Sequence, residues 1–166
     1  MIGKVIKYDM RDINTDLIIP ARYLTDSDPD FLAKHCMEGL DAKFIENRTK
    51  HDYTILVGGF NFGCGSSREQ APIALKAAGI KCIIASSFAR IFLRNAINIG
   101  LPIIELSNIE LINTDDEIDI KFNEGIIKNL SKDVEIKVNK MPSFIEEILS
   151  KGGLVNYARS IILKDT

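Results

Sequence analysis

Three short β-branched runs, Tyr53-Thr-Ile-Leu-Val-Gly58, Cys82-Ile-Ile-Ala85 and Pro102-Ile-Ile-Glu105, alternate with two helical patterns, and this alternation constrains the fold more than any other feature. The first pattern runs from Ala71 to Gly79, with Pro72 suited to a first helical turn and Gly79 to the position just past a helix end. The second runs from Ser87 to Ile99, where Phe88, Ile91, Phe92, Ala96 and Ile99 recur at helical spacing before Gly100 and Pro102 close it. Strands joined through helices in this way are parallel and connected by right-handed crossovers, so the expected class is a layered α/β fold.

Downstream, Glu117-Ile-Asp-Ile-Lys-Phe122 alternates polar and apolar residues, Asn123-Glu-Gly125 supplies a turn, and Ile126-Ile127 and Val134-Glu-Ile-Lys-Val138 continue the pattern. That predicts a small antiparallel meander with one wet face. Pro142 then opens a helix carrying Phe144, Ile145, Ile148 and Leu149 on one stripe, stopped by Gly152-Gly153, and Leu154 to Ile162 forms a last amphipathic segment. With no Pro/Gly/Ser-rich linker between the halves, residues 1–166 read as a single domain. A chain of this length hides roughly two-thirds of its extended surface on folding, so it needs neither disulfide nor metal as a staple.

Charge narrows the function. Lys and Arg number 21 and Asp and Glu 23, in no long run of either sign, which argues against a nucleic-acid partner. No apolar run approaches the roughly 20 residues of a membrane span, and charges between Met1 and Asp9 occupy the place where a leader would need its apolar core. Cys36, Cys64 and Cys82 form no close pair, so the expected compartment is the reducing cytoplasm. Nor do three dispersed thiols suggest a cysteine-held metal or cluster in this chain.

Three clusters carry potential chemistry. The densest, Gly58-Gly-Phe-Asn-Phe-Gly-Cys-Gly65-Ser-Ser-Arg68-Glu-Gln70, lies between a predicted strand and a predicted helix, where α/β folds bind ligands. Its glycines allow close backbone approach, Ser66 and Ser67 add hydroxyls, and Arg68 offers a fork suited to a carboxylate or phosphate. It matches neither the P-loop nor the dinucleotide fingerprint. The competing reading is a capping box of Ser66 with Glu69, which Pro72 weakens because it would fall inside the capped helix. The second cluster spans Asp12 to Pro29, in which Asp16 and Arg22 flank a strand-like stretch and are placed to point into one pocket, while Asp26 to Asp28 reads as turn chemistry. In the third, Arg90, Arg94 and Asn98 share one helical stripe and Asn95 falls among apolar positions; the preferred reading is a solvated arginine face with Asn95 holding a neighbouring loop. His35 and His51 belong to no ligand spacing.

Asn14-Thr-Asp16 followed by Ile19-Pro-Ala-Arg22-Tyr-Leu24, then Asn61 to Glu69, then Ser87-Phe-Ala-Arg-Ile91 and Arg94-Asn-Ala-Ile-Asn98 with Gly100-Leu-Pro102, together resemble the 3-isopropylmalate dehydratase small-subunit family of the aconitase superfamily. The likeness extends from about Asp12 to Tyr157. It implies a three-layered, swivelling β/β/α domain like the aconitase C-terminal domain. Such a domain closes on a separate large subunit that holds a 4Fe-4S cluster, in a heterodimer or heterotetramer, while binding no cofactor itself. The implied reaction is isomerisation of 2-isopropylmalate to 3-isopropylmalate by dehydration and rehydration in leucine biosynthesis. By the resemblance Ser66 is the base, Arg68 binds a substrate carboxylate with Ser67 hydrogen-bonding nearby, Asp16 belongs to the hydrogen-bond network, and the loop from Arg22 to Ser27, including Thr25, contacts the variable group of a malate-derived substrate. Thr25 stands where some relatives have arginine and Gln70 where many have histidine. Homoaconitase and dimethylmalate- or citramalate-type small subunits therefore stay open, as does a stand-alone anion-binding module.

Overall fold

The fold is organised around a strand that periodicity does not announce. In the computed structural model, which describes residues 1–163, Ile2–Tyr8 forms β1, and its adjacent Val5 and Ile6 are buried on opposite faces. On one side β1 pairs in parallel with β2 (Tyr53–Gly58), which continues through β3 (Cys82–Ala85) to β4 (Ile103–Glu105), all parallel. On the other side it pairs antiparallel with β5 (Glu117–Lys121), the first strand of a meander completed by β6 (Ile126–Asn129) and β7 (Val134–Lys137). The single seven-stranded sheet thus has the order β4-β3-β2-β1-β5-β6-β7.

Two cores divide the strands by alternation. Ile6, Leu56, Ile83 and Ala85 face a layer of helices, among them α1 (Thr15–Ile18), α2 (Pro29–Lys34), α3 (Phe44–His51), α4 (Gln70–Ala77) and α5 (Arg90–Asn98). Val5, Ile55, Val57, Cys82 and Ile84 face the opposite way, onto Ile118, Ile120, Ile127 and Ile136 of the meander. The sheet therefore curls until its antiparallel half covers its parallel half, giving helix, parallel-sheet and meander layers. This is the β/β/α architecture expected. Pro142 and Gly152-Gly153 bracket α6 (Ser143–Ser150), and α7 (Leu154–Ile162) follows with its apolar side chains largely exposed.

Two predicted boundaries shift. The segment Ser86–Ala89 is extended rather than helical, because Phe62 N–H donates to the Ser87 carbonyl at 2.9 Å and Ala89 N–H to the Phe62 carbonyl at 3.0 Å. The helix so begins at Arg90, and Ile91 is half exposed instead of joining the core stripe. The stretch from Asp16 to Arg22 is not a strand: Asn14 caps α1, its Oδ1 accepting from Leu17 N–H at 3.0 Å, and after Pro20 a short 3-10 turn covers Ala21–Tyr23.

One buried carboxylate fastens the meander. Asp116 accepts hydrogen bonds from Asn129 Nδ2 at 2.6 Å, Lys132 Nζ at 2.8 Å and Asn113 N–H at 2.8 Å. Burial opposes its charge, yet the bonds from Lys132, Asn113 and Asn129 outweigh that and hold its pKa below the ordinary aspartate value. A carboxyl whose pKa is lower folded than unfolded stabilises the fold above its unfolded value, about 3.9, and loses that contribution as pH falls through the folded one. Asp116→Asn is expected to cost about 2–3 kcal/mol at pH 7, since it leaves Lys132 facing an amide. In urea titrations the gap between wild type and variant should narrow below about pH 4; a gap that persists there would mean the loss is steric rather than electrostatic.

Candidate active site

Beyond Gly58 the chain leaves β2 but keeps the neighbours that β2 had. On the β1 side Asp12 N–H donates to the Phe60 carbonyl (2.9 Å), Gly63 N–H to Ile13 (2.8 Å) and Thr15 N–H to Cys64 (2.8 Å). On the β3 side Phe62 bonds to Ser87 and Ala89, and Asn61 N–H donates to Ser87 Oγ at 2.9 Å. Two isolated bridges, Asn14 with Cys64 and Phe62 with Phe88, mark this loop as a narrowed extension of the sheet. Residues 60–65 are therefore held from both sides, and Ser66, Ser67 and Arg68 are presented from a rigid base.

Ser66 and Ser67 emerge from that base exposed, and neither hydroxyl forms a hydrogen bond among the described residues. The capping box is absent: α4 starts at Gln70 after Glu69, with no side-chain cap. Thr15 Oγ1 instead donates to the Ser66 carbonyl at 3.0 Å, fixing the backbone and leaving the Ser66 side chain unused. Arg68 turns back beneath the loop. Its side chain is 12% exposed, and one Nη donates to Asp16 Oδ1 at 2.6 Å and to the Ile19 carbonyl at 3.2 Å. Asp16, 55% exposed, thus orients Arg68 in the plane of its fork.

Thr15, Gly63, Gly65, Ser66, Arg68, Ala89, Arg90, Ile91 and Phe92 enclose a cleft of about 200 Å³. Its base rests on the packed rings of Phe62, Phe88 and Phe92, with Phe62 and Phe92 centroids 5.3 Å apart. No side chain caps the first turn of α5, whose Arg90, Ile91 and Phe92 also line the cleft. The arrangement offers an unengaged hydroxyl beside two guanidinium groups and no lining carboxylate, a composition suited to an anion.

Residues 6–109 match the model of the aconitase C-terminal domain. The 3-isopropylmalate dehydratase small subunit of Caldicellulosiruptor bescii is 54% identical over 98% of this chain and 97% of its own length. That of Caldanaerobacter subterraneus subsp. tengcongensis is 56% identical over 96% and 98%. The chain belongs to the 3-isopropylmalate dehydratase small-subunit family. A crystal structure of 3-isopropylmalate dehydratase from Methanocaldococcus jannaschii superposes with a TM-score of 0.89 at 45% identity, covering 99% of this chain and 98% of that one.

For a member of this family, the structure gathers some of the expected residues and separates others. Ser66 and Arg68 line the cleft and Asp16 is paired with Arg68, whereas Ser67, expected to hydrogen-bond nearby, follows Ser66 in the chain but does not line the cleft. Arg22 does not join them: it is 64% exposed, donates to Glu38 Oε1 at 2.6 Å and lies over the Tyr23 ring. Glu38 is the hub there, with a pKa lowered first by the hydrogen bond from His35 and then by those from Tyr23 and Arg22. The expectation that Asp16 and Arg22 converge on one pocket is corrected, because the two short helical turns between them rotate Arg22 away. Thr25 is exposed outside the cleft. The Asn95 amide is half-buried and makes no hydrogen bond among the described residues, so it does not hold a loop.

Sequence reading missed Thr15, Arg90 and Ile91 as parts of a dehydratase small-subunit cleft. The signal was present in Asn14-Thr-Asp16 and Ser87-Phe-Ala-Arg-Ile91, but helical periodicity assigned Ile91 to the core and Arg90 to a solvated face. The cysteines lie apart: Cys36 is buried among the helices, Cys82 on the meander side, and Cys64 in the loop. Burial raises the pKa of all three thiols, with Asp12 adding to the effect at Cys64, so none is primed as a thiolate ligand. No group of three or more metal-ligating side chains occurs among the described residues, and the chain's own thiols do not fit a cluster.

Proposed function

We propose that the chain is the small subunit of a two-subunit hydro-lyase that isomerises 2-isopropylmalate to 3-isopropylmalate in leucine biosynthesis, with Ser66 as its base. The observation that carries this reading is the unengaged Ser66 hydroxyl at the tip of a braced loop, beside an Arg68 already aimed by Asp16. A 4Fe-4S cluster held by the large subunit would supply a Lewis acid for the substrate hydroxyl. What this chain contributes is proton traffic and grip. Arg68 binds a substrate carboxylate through the nitrogens that Asp16 leaves free. The carbon next to the carbinol is thereby turned toward Ser66, whose oxygen takes its proton on dehydration and returns a proton to the other carbon on rehydration. An ordinary hydroxyl is a poor base, so the alkoxide needs the cationic, amide-lined cleft to stabilise it.

We keep residues 1–166 as one working domain, a reading the continuous sheet supports over the described residues; the name small subunit carried by the relatives supports pairing with a large subunit, as a heterodimer or heterotetramer. A role in leucine biosynthesis points to the cytoplasm; no helix among the described residues is long and apolar enough to cross a membrane.

The test is anaerobic reconstitution with a cluster-loaded large subunit. The chain alone should be inactive and the pair should isomerise 2-isopropylmalate, with kcat/KM above that for citramalate or homocitrate. Turnover by the isolated chain would overturn the division of labour; a pair that prefers homocitrate or citramalate would reassign the substrate. Tight calorimetric binding of small dicarboxylates to the chain alone would favour the anion-binding module. Arg68→Lys should raise KM at least about 10-fold in the active pair, because an ammonium cannot serve Asp16 and a carboxylate with one planar fork. An unchanged KM would remove Arg68 from substrate binding.

A further inference from the structure

We infer that Arg90 is a second carboxylate-binding residue of this cleft, so that the site holds a dicarboxylate between two guanidinium groups. The inference rests on the reading of Ser66 and Arg68 given above and names how the rest of the substrate is held. Arg90 is the first residue of α5 and lines the same cleft as Ser66 and Arg68, together with Gly63 and Phe92. Its position is fixed from behind, since the preceding Ala89 N–H is tied to the Phe62 carbonyl and Phe88 is paired with Phe62. Its side chain is exposed and has no ion-pair or hydrogen-bond partner among the described residues.

The two arginines are in different states. Arg68 is largely buried and has one nitrogen committed to Asp16 and the Ile19 carbonyl, so it presents a single two-point face to the cleft. Such a face takes one carboxylate. A malate-type molecule has two, and an anionic group brought into the cleft without a partner would be penalised by desolvation. Arg90 is the one further cation lining the cleft, and no acidic side chain lines it to compete. Beside Arg90, half-exposed Ile91 offers an aliphatic contact in the same wall. Cation, branched apolar surface, hydroxyl and second cation in one small space match the chemistry of an alkyl-branched dicarboxylate.

Arg94 provides an internal control. It lies one turn along the same exposed stripe, carries the same charge and does not line the cleft.

Inhibition of the reconstituted pair by 2-isopropylsuccinate, a dicarboxylate without the reacting hydroxyl, and by the monocarboxylate 4-methylpentanoate tests the assignment. Arg90→Gln should weaken inhibition by the dicarboxylate about 10-fold or more and leave the monocarboxylate within about twofold, the range expected for one charge-assisted contact. Arg90→Lys should fall between, and Arg94→Gln should match wild type. Subunit affinity, followed by sedimentation, should be unchanged in Arg90→Gln. Equal weakening of both inhibitors, no weakening at all, or losses that track weaker subunit assembly would each overturn the inference, the last making Arg90 a contact to the large subunit. If the wild-type pair fails to turn over isopropylmalate, the proposed function falls, and calorimetric binding of isopropylsuccinate to wild type and Arg90→Gln pairs still decides the role of Arg90.

Discussion

Ser66→Ala in the reconstituted enzyme is expected to lower kcat by about 10²–10⁴-fold while KM stays within about threefold, the signature of a lost proton-transfer group rather than a lost binding contact. The geometry makes this a clean experiment. Because the Ser66 hydroxyl is exposed and bonds to nothing within the chain, and Thr15 holds the Ser66 carbonyl rather than its side chain, the substitution removes no folding contact. Melting temperature and complex formation should match wild type. Activity that survives would exclude Ser66 as the base. A parallel rise in KM and fall in subunit affinity would instead make it a contact residue. Ser67→Ala serves as the neighbouring control and should lose far less, since Ser67 does not line the cleft.

Gly63→Ala is expected to do the opposite, damaging the site through the fold. Gly63 has φ of +77°, and a Cβ built there would overlap the ring of Phe92 at the base of the cleft. The backbone strain and the overlap together should cost about 2–4 kcal/mol, seen as a lower midpoint in urea, with activity lost alongside. Gly65 separates the two causes. Its φ is +91°, but the nearest atom to an added Cβ, Thr15 Oγ1, is 3.4 Å away, so Gly65→Ala should show only the strain, about 1 kcal/mol. Pairing Gly63→Ala with Phe92→Leu should recover part of the loss if overlap dominates. Equal costs at positions 63 and 65 would show that Phe92 yields without penalty and that backbone conformation alone demands glycine.

The parallel strands, the meander and the last two helices were legible in the sequence because each presents a single face or an unbroken apolar run over several residues. β1 was not, because its lysines interrupt the alternation and its two adjacent buried residues serve opposite cores, so no single-face pattern exists to be read. The serines and Arg68 stood out as residue types with no structural duty in a glycine-rich turn. Arg90 and Ile91 did not: the pairing of Phe62 with Phe88 pulls the start of α5 three residues downstream, and that rotates Ile91 out of the core and into the cleft. Arg22 failed for a related reason. Local capping by Asn14 and the fixed φ of Pro20 turned a strand-like composition into two tight turns, which carry its guanidinium to Glu38.

The central place of β1 also sets an order of events during synthesis and refolding. It precedes the other six strands of the sheet, yet its two neighbours begin only at Tyr53 and Glu117, so its second edge cannot be satisfied until most of the chain exists. Closing those long loops precedes any return from the contacts they bring, which slows folding and leaves an unpaired edge open to wrong partners in the interval. A fragment ending before Glu117 would keep that edge bare and leave the meander side of Val5, Ile55 and Val57 in water. The helices and the serine loop can be drawn on such a fragment, but the surface that braces them would be missing its third layer.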